Sequence, residues 1–79
     1  MSKKQLLAEN DLIALAKRFR KQAGKTRAQA AREMGVKQTS IFNAEESPGQ
    51  SLLKLRTRMI EAYSPLKIVG PVFYLAKKS

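Results

Sequence analysis

Apolar residues recur along most of this chain at the spacing of helices that each bury one side. Leu12, Leu15, Ala16, Phe19 and Ala23 fall at i, i+3, i+4, i+7 and i+11, which predicts a first helix opening at Asn10 or Asp11. Either residue offers a short oxygen for the free N–H groups of the first turn, and an acid there suits the helix dipole. Gly24 supplies a left-handed stop. Thr26 and Gln29 then form the Thr-x-x-Gln capping box of a second helix. Ala28, Ala30, Ala31 and Met34 line that helix with thin side chains until Gly35 ends it. Val36 drops into the core at the turn. A third helix runs from Lys37 or Gln38 to Glu45 or Glu46, with Ile41 and Ala44 inward. Ser47-Pro48-Gly49 breaks the chain. A fourth helix, capped by Ser51, extends to Tyr63 on a stripe of Leu52, Leu55, Met59 and Ala62 or Tyr63, with Leu53, Arg56 and Ile60 beside it.

After Ser64-Pro65 the pattern changes. Ile68, Val69, Val72, Phe73, Tyr74 and Leu75 are strand formers, and Pro71 confines them to an edge or a hairpin turn. The fold class predicted is mainly α: residues 1–79 form a single domain with a helical core over 10–63 and a short strand within 66–77. Residues 68–76 are expected to pair with the same strand of a second copy, burying Phe73 and Tyr74 or Val72 and Leu75. Folding back on its own helices is the alternative.

Composition narrows the function. With 79 residues and no cysteine or histidine, the chain lacks disulfides, thiolate nucleophiles, the usual zinc ligands and the commonest general base. Six scattered carboxylates form no paired acid–base set, and no phosphate-cradling glycine loop is present. No enzyme, no metal and no cofactor is expected. Sixteen Lys/Arg against six Asp/Glu give a net charge of +10, which points to an anionic partner. No apolar run reaches the ~18 residues of a membrane span, and no secretory signal is apparent, so a cytoplasmic protein without a membrane partner is expected. A membrane-active helix would not be broken at Gly24, Gly35, Pro48 and Pro65, and an RNA-binding sheet would display stacking aromatics. Lys17, Arg18, Lys21 and Lys25 lie off the first stripe, as a solubilising face or a phosphate-facing flank.

Between Thr26 and Glu45 the spacing becomes specific. Ala31, then Gly35 four residues later, then Val36, then Ile41 six after the glycine, meet three separate demands. The alanine permits close helix contact, the glycine makes a left-handed turn, and the branched residue anchors the next helix. Such a unit presents the first turn of its second helix to the DNA major groove.

On these residues the chain, from Leu12 through Tyr63, resembles the Cro/repressor (XRE-type) helix-turn-helix family. Thr26-Arg27, Ala31, Gly35-Val36, Ile41 and Glu45 match its signature. Gly35-Val36-Lys37-Gln38, Ile41, Asn43, Glu45 and Pro48 are closer still to HipB-type antitoxins. The resemblance implies a four-helix repressor-like domain whose short strand pairs across a homodimer. It implies a regulator, nucleoid-associated in a bacterium or phage, that represses by binding a palindromic operator in double-stranded DNA. The alternative is an antitoxin that also neutralises a protein toxin.

Carried over by residue, the resemblance makes Lys37, Gln38, Thr39, Phe42 and Asn43 the base readers. Lysine suits guanine O6/N7, glutamine pairs bidentately with adenine, and threonine touches a methyl. It gives Arg27, Gln29, Ser40 and Lys54 to phosphates, and Arg20 and Glu45 to a salt bridge between the first and third helices. The departures are Arg27 where the family usually has glutamine, Lys37 where a serine usually caps the helix, and Phe42 where a small or polar residue is commoner. Lys37 gives up a cap worth about 0.5–2 kcal/mol, which suggests another use for it. Phe42 is left either to contact a thymine methyl or to pack on a neighbour.

Overall fold

A computed structural model describes residues 7–69 and 74–78. The helices are α1 (Glu9–Gln22), α2 (Arg27–Met34), α3 (Gln38–Glu46) and α4 (Leu53–Tyr63), followed by β1 (Leu66–Val69) and β2 (Tyr74–Lys77). The chain is thus mainly helical, with a small antiparallel two-stranded sheet. No helix among the described residues is long and apolar enough to cross a membrane.

The start of α1 differs from expectation. Ala8 holds the cap position, and Asp11 works from inside the helix: its carboxylate accepts the Ala8 N–H at 2.8 Å while its own N–H donates to Ala8 O at 2.9 Å. The inward stripe is Leu12, Ala16 and Arg20, flanked by half-buried Leu15 and Phe19. Ala23, expected on that stripe, is exposed beyond the helix end. Gly24 at φ 73° turns the chain away there, and Lys25 N–H reaches back to Arg20 O at 3.2 Å.

α2 opens with both halves of its box in place. Gln29 N–H donates to Thr26 Oγ1 at 3.1 Å, and Thr26 N–H to Gln29 Oε1 at 2.8 Å. Gly35 closes the helix at φ 69°, a conformation costly for any side chain but free for glycine. Val36 N–H then bonds Ala31 O at 3.0 Å, and Arg58 of α4 donates to Met34 O at 2.8 Å.

Ser51 does not cap α4. It is exposed, and Leu52 occupies the cap position with no side-chain hydrogen bond. Of the two residues offered for the end of the stripe, Tyr63 is half-buried and Ala62 exposed. Arg56 and Ile60, expected beside the stripe, are both fully buried. The core joins Leu12, Ala16, Ala30, Ala31, Met34, Ile41, Ala44, Leu55, Met59 and Ile60. Each fully buried Leu, Ile or Met there is worth about 1.5–3 kcal/mol. The alanines add little area but let α2 and α3 approach.

The tail holds two strands where one was expected. Leu66 pairs with Lys77, Lys67 with Ala76, Ile68 with Leu75 and Val69 with Tyr74, within one chain. Ile68 and Leu75 lie half-buried against the helical core, and the Ile68 N–H donates to Glu61 of α4 at 3.1 Å. Val72 and Phe73, expected at a dimer contact, lie outside the described residues. Leu75 packs on its own chain's core.

Candidate nucleic-acid interface

The candidate surface is built on α3, nine residues that enter from Gly35 and leave at Ser47. Ile41 and Ala44 fix its inner side, being completely buried. Helical geometry then turns Lys37, Gln38, Thr39 and Phe42 outward, and all four are exposed. Phe42 keeps 46% of its surface exposed, which is unusual for so large an apolar side chain. Lys37 stands at the cap position with no side-chain capping bond, and within the first turn Ser40 N–H donates to its backbone carbonyl at 2.9 Å, so a cation stands where an acceptor side chain would cap the helix.

Asn43 and Ser40 sit elsewhere. Asn43 is half-buried, and its side-chain oxygen accepts from Ser47 Oγ at 3.2 Å. Ser40 faces a groove of about 590 Å³ with Val36, Leu52, Leu53 and Lys54. The expected base readers thus divide into an exposed group of four and a fifth residue engaged at the far end of the helix. Ser40 and Lys54, both expected on phosphate, share one groove.

The C-terminal end of α3 is held by charge. Glu45 has no exposed side-chain surface, and Arg20 clamps it through Nε at 2.5 Å and Nη2 at 2.9 Å, while Arg20 Nη1 donates to Lys25 O at 2.7 Å. The hydrogen bond to Glu45 raises the Arg20 pKa above its ordinary value in spite of burial. A bidentate fork of this kind fixes orientation as well as charge.

Arg27, expected to reach a phosphate, is turned back on the protein. It donates to Glu45 at 3.0 Å and to Glu46 at 2.8 Å, with its guanidinium 4.9 Å from the centre of the Phe42 ring. Lys17 completes the group by pairing with Glu46 at 2.6 Å. The Lys17 hydrogen bond, followed by the nearby cationic charges, holds the Glu46 carboxyl below the usual carboxylate range. Gln29 has its side-chain oxygen committed to the capping box.

The carboxylates nearest the exposed face are therefore neutralised from behind. The other four acids are engaged as well: Glu9 with Arg56, Asp11 with the Ala8 N–H, Glu33 with Lys25 and Tyr63, and Glu61 with the Ile68 N–H. Lys37 and Lys54 make no ion pair among the described residues, and their charge faces solvent. Among those residues no three acids converge as a metal site would require.

Arg56 was missed as a functional support. Completely buried, it donates to Ala44 O at 3.0 Å, Ser47 O at 3.0 Å and Gln50 O at 2.9 Å, with longer contacts to Asn43 O and Glu9. It thereby caps the end of α3 and shapes the breaker that follows. Its position four residues after Leu52 and four before Ile60 puts a cation on the apolar stripe, and that was the available signal. The Lys17–Glu46 and Arg27–Glu46 pairs carry no comparable local mark.

Compared with protein-family models, with curated proteins and with solved structures, the chain has no match.

Proposed function

We propose that this chain is a sequence-specific double-stranded DNA-binding regulator of the helix-turn-helix type, acting as a repressor. In this reading α3 lies in the major groove, with Lys37, Gln38 and Thr39 against base edges. Lys54 and Ser40 meet the backbone from the groove at the start of α4. The observation that carries the reading is the pairing of an exposed, uncapped first turn with carboxylates neutralised behind it by Arg20, Arg27 and Lys17. An unpaired Glu45 or Glu46 beside phosphate would repel DNA; here both are compensated.

Two copies would bind a palindromic site. β1 and β2 pair with each other in a two-stranded antiparallel sheet, and the outer edge of such a sheet is a natural place for a second copy to add on. Pairing two units doubles the base contacts and sets half-sites about 34–36 Å apart.

Selection of bound sequences from random duplexes tests the reading. It should return an inverted repeat with that spacing. Recovery of unselected DNA, bound only through a steep salt dependence, would leave a generic polycation and defeat it.

A further inference from the structure

Arg27, Gln38, Thr39 and Phe42 line a shallow depression of about 380 Å³ on the outer side of α3. Its composition is unusual for a surface with this net charge. The one cation lining it, Arg27, already serves Glu45 and Glu46, so little charge is left to attract a phosphate. The same guanidinium lies over the Phe42 ring and holds it in place through a cation–π contact. Phe42 therefore stays exposed without being free to collapse onto the helix, and the threonine and glutamine give the depression a mixed apolar and amide rim.

We propose that this depression receives the C5-methyl group of a pyrimidine in the major groove, with Phe42 as its floor and Arg27 as the residue that positions the ring. This inference rests on the DNA-binding reading and adds to it the chemical group that is read. The C5-methyl is the apolar feature of the major-groove edge, and it distinguishes thymine from every unmethylated base. Thymine and 5-methylcytosine both carry it.

Deoxyuridine in place of thymine removes that methyl and nothing else, and so gives the test. In a duplex recovered by selection, each thymine is replaced singly and binding of the full chain is measured at equilibrium. Burial of one methyl predicts a loss of about fourfold at one position per half-site. Phe42→Ala, which alters an exposed side chain, should bind the thymine and deoxyuridine duplexes equally. Arg27→Gln should shrink the difference, because the ring loses its support. At the sensitive position, cytosine and 5-methylcytosine paired with guanine separate the two sources: a gain on methylation admits 5-methylcytosine, and no gain restricts the depression to thymine. A selected sequence without thymine, a uniformly tolerated deoxyuridine series, or a deoxyuridine penalty in Phe42→Ala as large as in the unaltered chain would overturn the inference while leaving sequence-specific DNA binding intact. Failure to select any sequence would instead remove the reading on which it stands.

Discussion

At the C-terminal end of α3 nearly every polar group is spoken for: Glu45 by Arg20 and Arg27, Glu46 by Arg27 and Lys17, and the carbonyls of Ala44, Ser47 and Gln50 by Arg56. At the N-terminal end, about two turns away, Lys37 makes no side-chain cap and Gln38 and Thr39 point into solvent. One short helix thus has an end that is held and an end that is left open. The difference is informative because local stability would favour closing both. A serine at position 37 would have been a simple way to do it.

The comparison breaks most severely at Arg56. Replacement by alanine takes the side-chain donor from the buried Ala44 carbonyl and the partly buried Gln50 carbonyl, each costing about 1–3 kcal/mol, and leaves Ser47 O only the Gln50 N–H at 3.2 Å. Urea unfolding should register a loss of roughly 4 kcal/mol or more, enough to unfold much of so small a domain. A loss below about 1 kcal/mol would mean that water satisfies those carbonyls.

Glu45→Ala comes next. It strands Arg20, whose side chain is only 8% exposed, and the loss should be about 3 kcal/mol by the same measurement. Arg27→Ala removes a partly exposed cation from the same carboxylate and should cost much less. Equal losses would show that Arg20 and Arg27 share the load, contrary to their burial.

At the open end the sign reverses. Lys37→Ser supplies the absent cap and should stabilise the fold by about 1 kcal/mol while weakening DNA binding. A variant that loses stability would mean that Lys37 is held by contacts of its own.

The smallest effect is set by pH. The folded pKa values of Glu46 and Glu33 are lowered, Glu46 chiefly by Lys17 and Glu33 chiefly by Lys25 and then Tyr63. The stability they add is therefore present above the ordinary carboxylate value near 4.5 and is lost as pH falls through the lowered values. Both groups are exposed, so the melting temperature should decline only gently between pH 5 and 3 on their account. Glu46→Gln should flatten that decline slightly, and an unchanged profile would show that solvent screens the Lys17 pair completely.

How much of this was legible in sequence follows from the range of each interaction. The stops at Gly24 and Gly35, the Thr26–Gln29 box and the inward Ile41 and Ala44 are local matters of backbone angle and period, and they read directly. The caps of α1 and α4 differ from the polar residues the sequence offers because Asp11 acts three residues from the cap and Leu52 is set by the core rather than by its own polarity. The sequence places Arg56 beside the stripe because a cation on an apolar face has no meaning until the carbonyls from α3 and Gln50 arrive around it. The tail's strand residues were evident. Their division into two strands that pair with each other depended on a reversal that propensity alone does not fix. In the candidate interface the outward turn of Lys37, Gln38, Thr39 and Phe42 was readable from helix period. The turning of Arg27 away from solvent was not, since its partners lie 18 and 19 residues away.

The central claim, that the open end of α3 reads bases while other cations only hold phosphate, is tested most directly by one comparison of variants. Gln38→Ala and Lys54→Ala, both exposed and outside the core, are measured against a selected duplex and a scrambled one across a salt series. Gln38→Ala should lose about tenfold or more on the selected duplex and little on the scrambled one, with the salt slope unchanged. Lys54→Ala should weaken both duplexes alike and reduce the slope by about 0.9 for each bound copy, or about 1.8 for two copies on one site. If Gln38→Ala instead weakens both duplexes equally, α3 does not read sequence and the account fails.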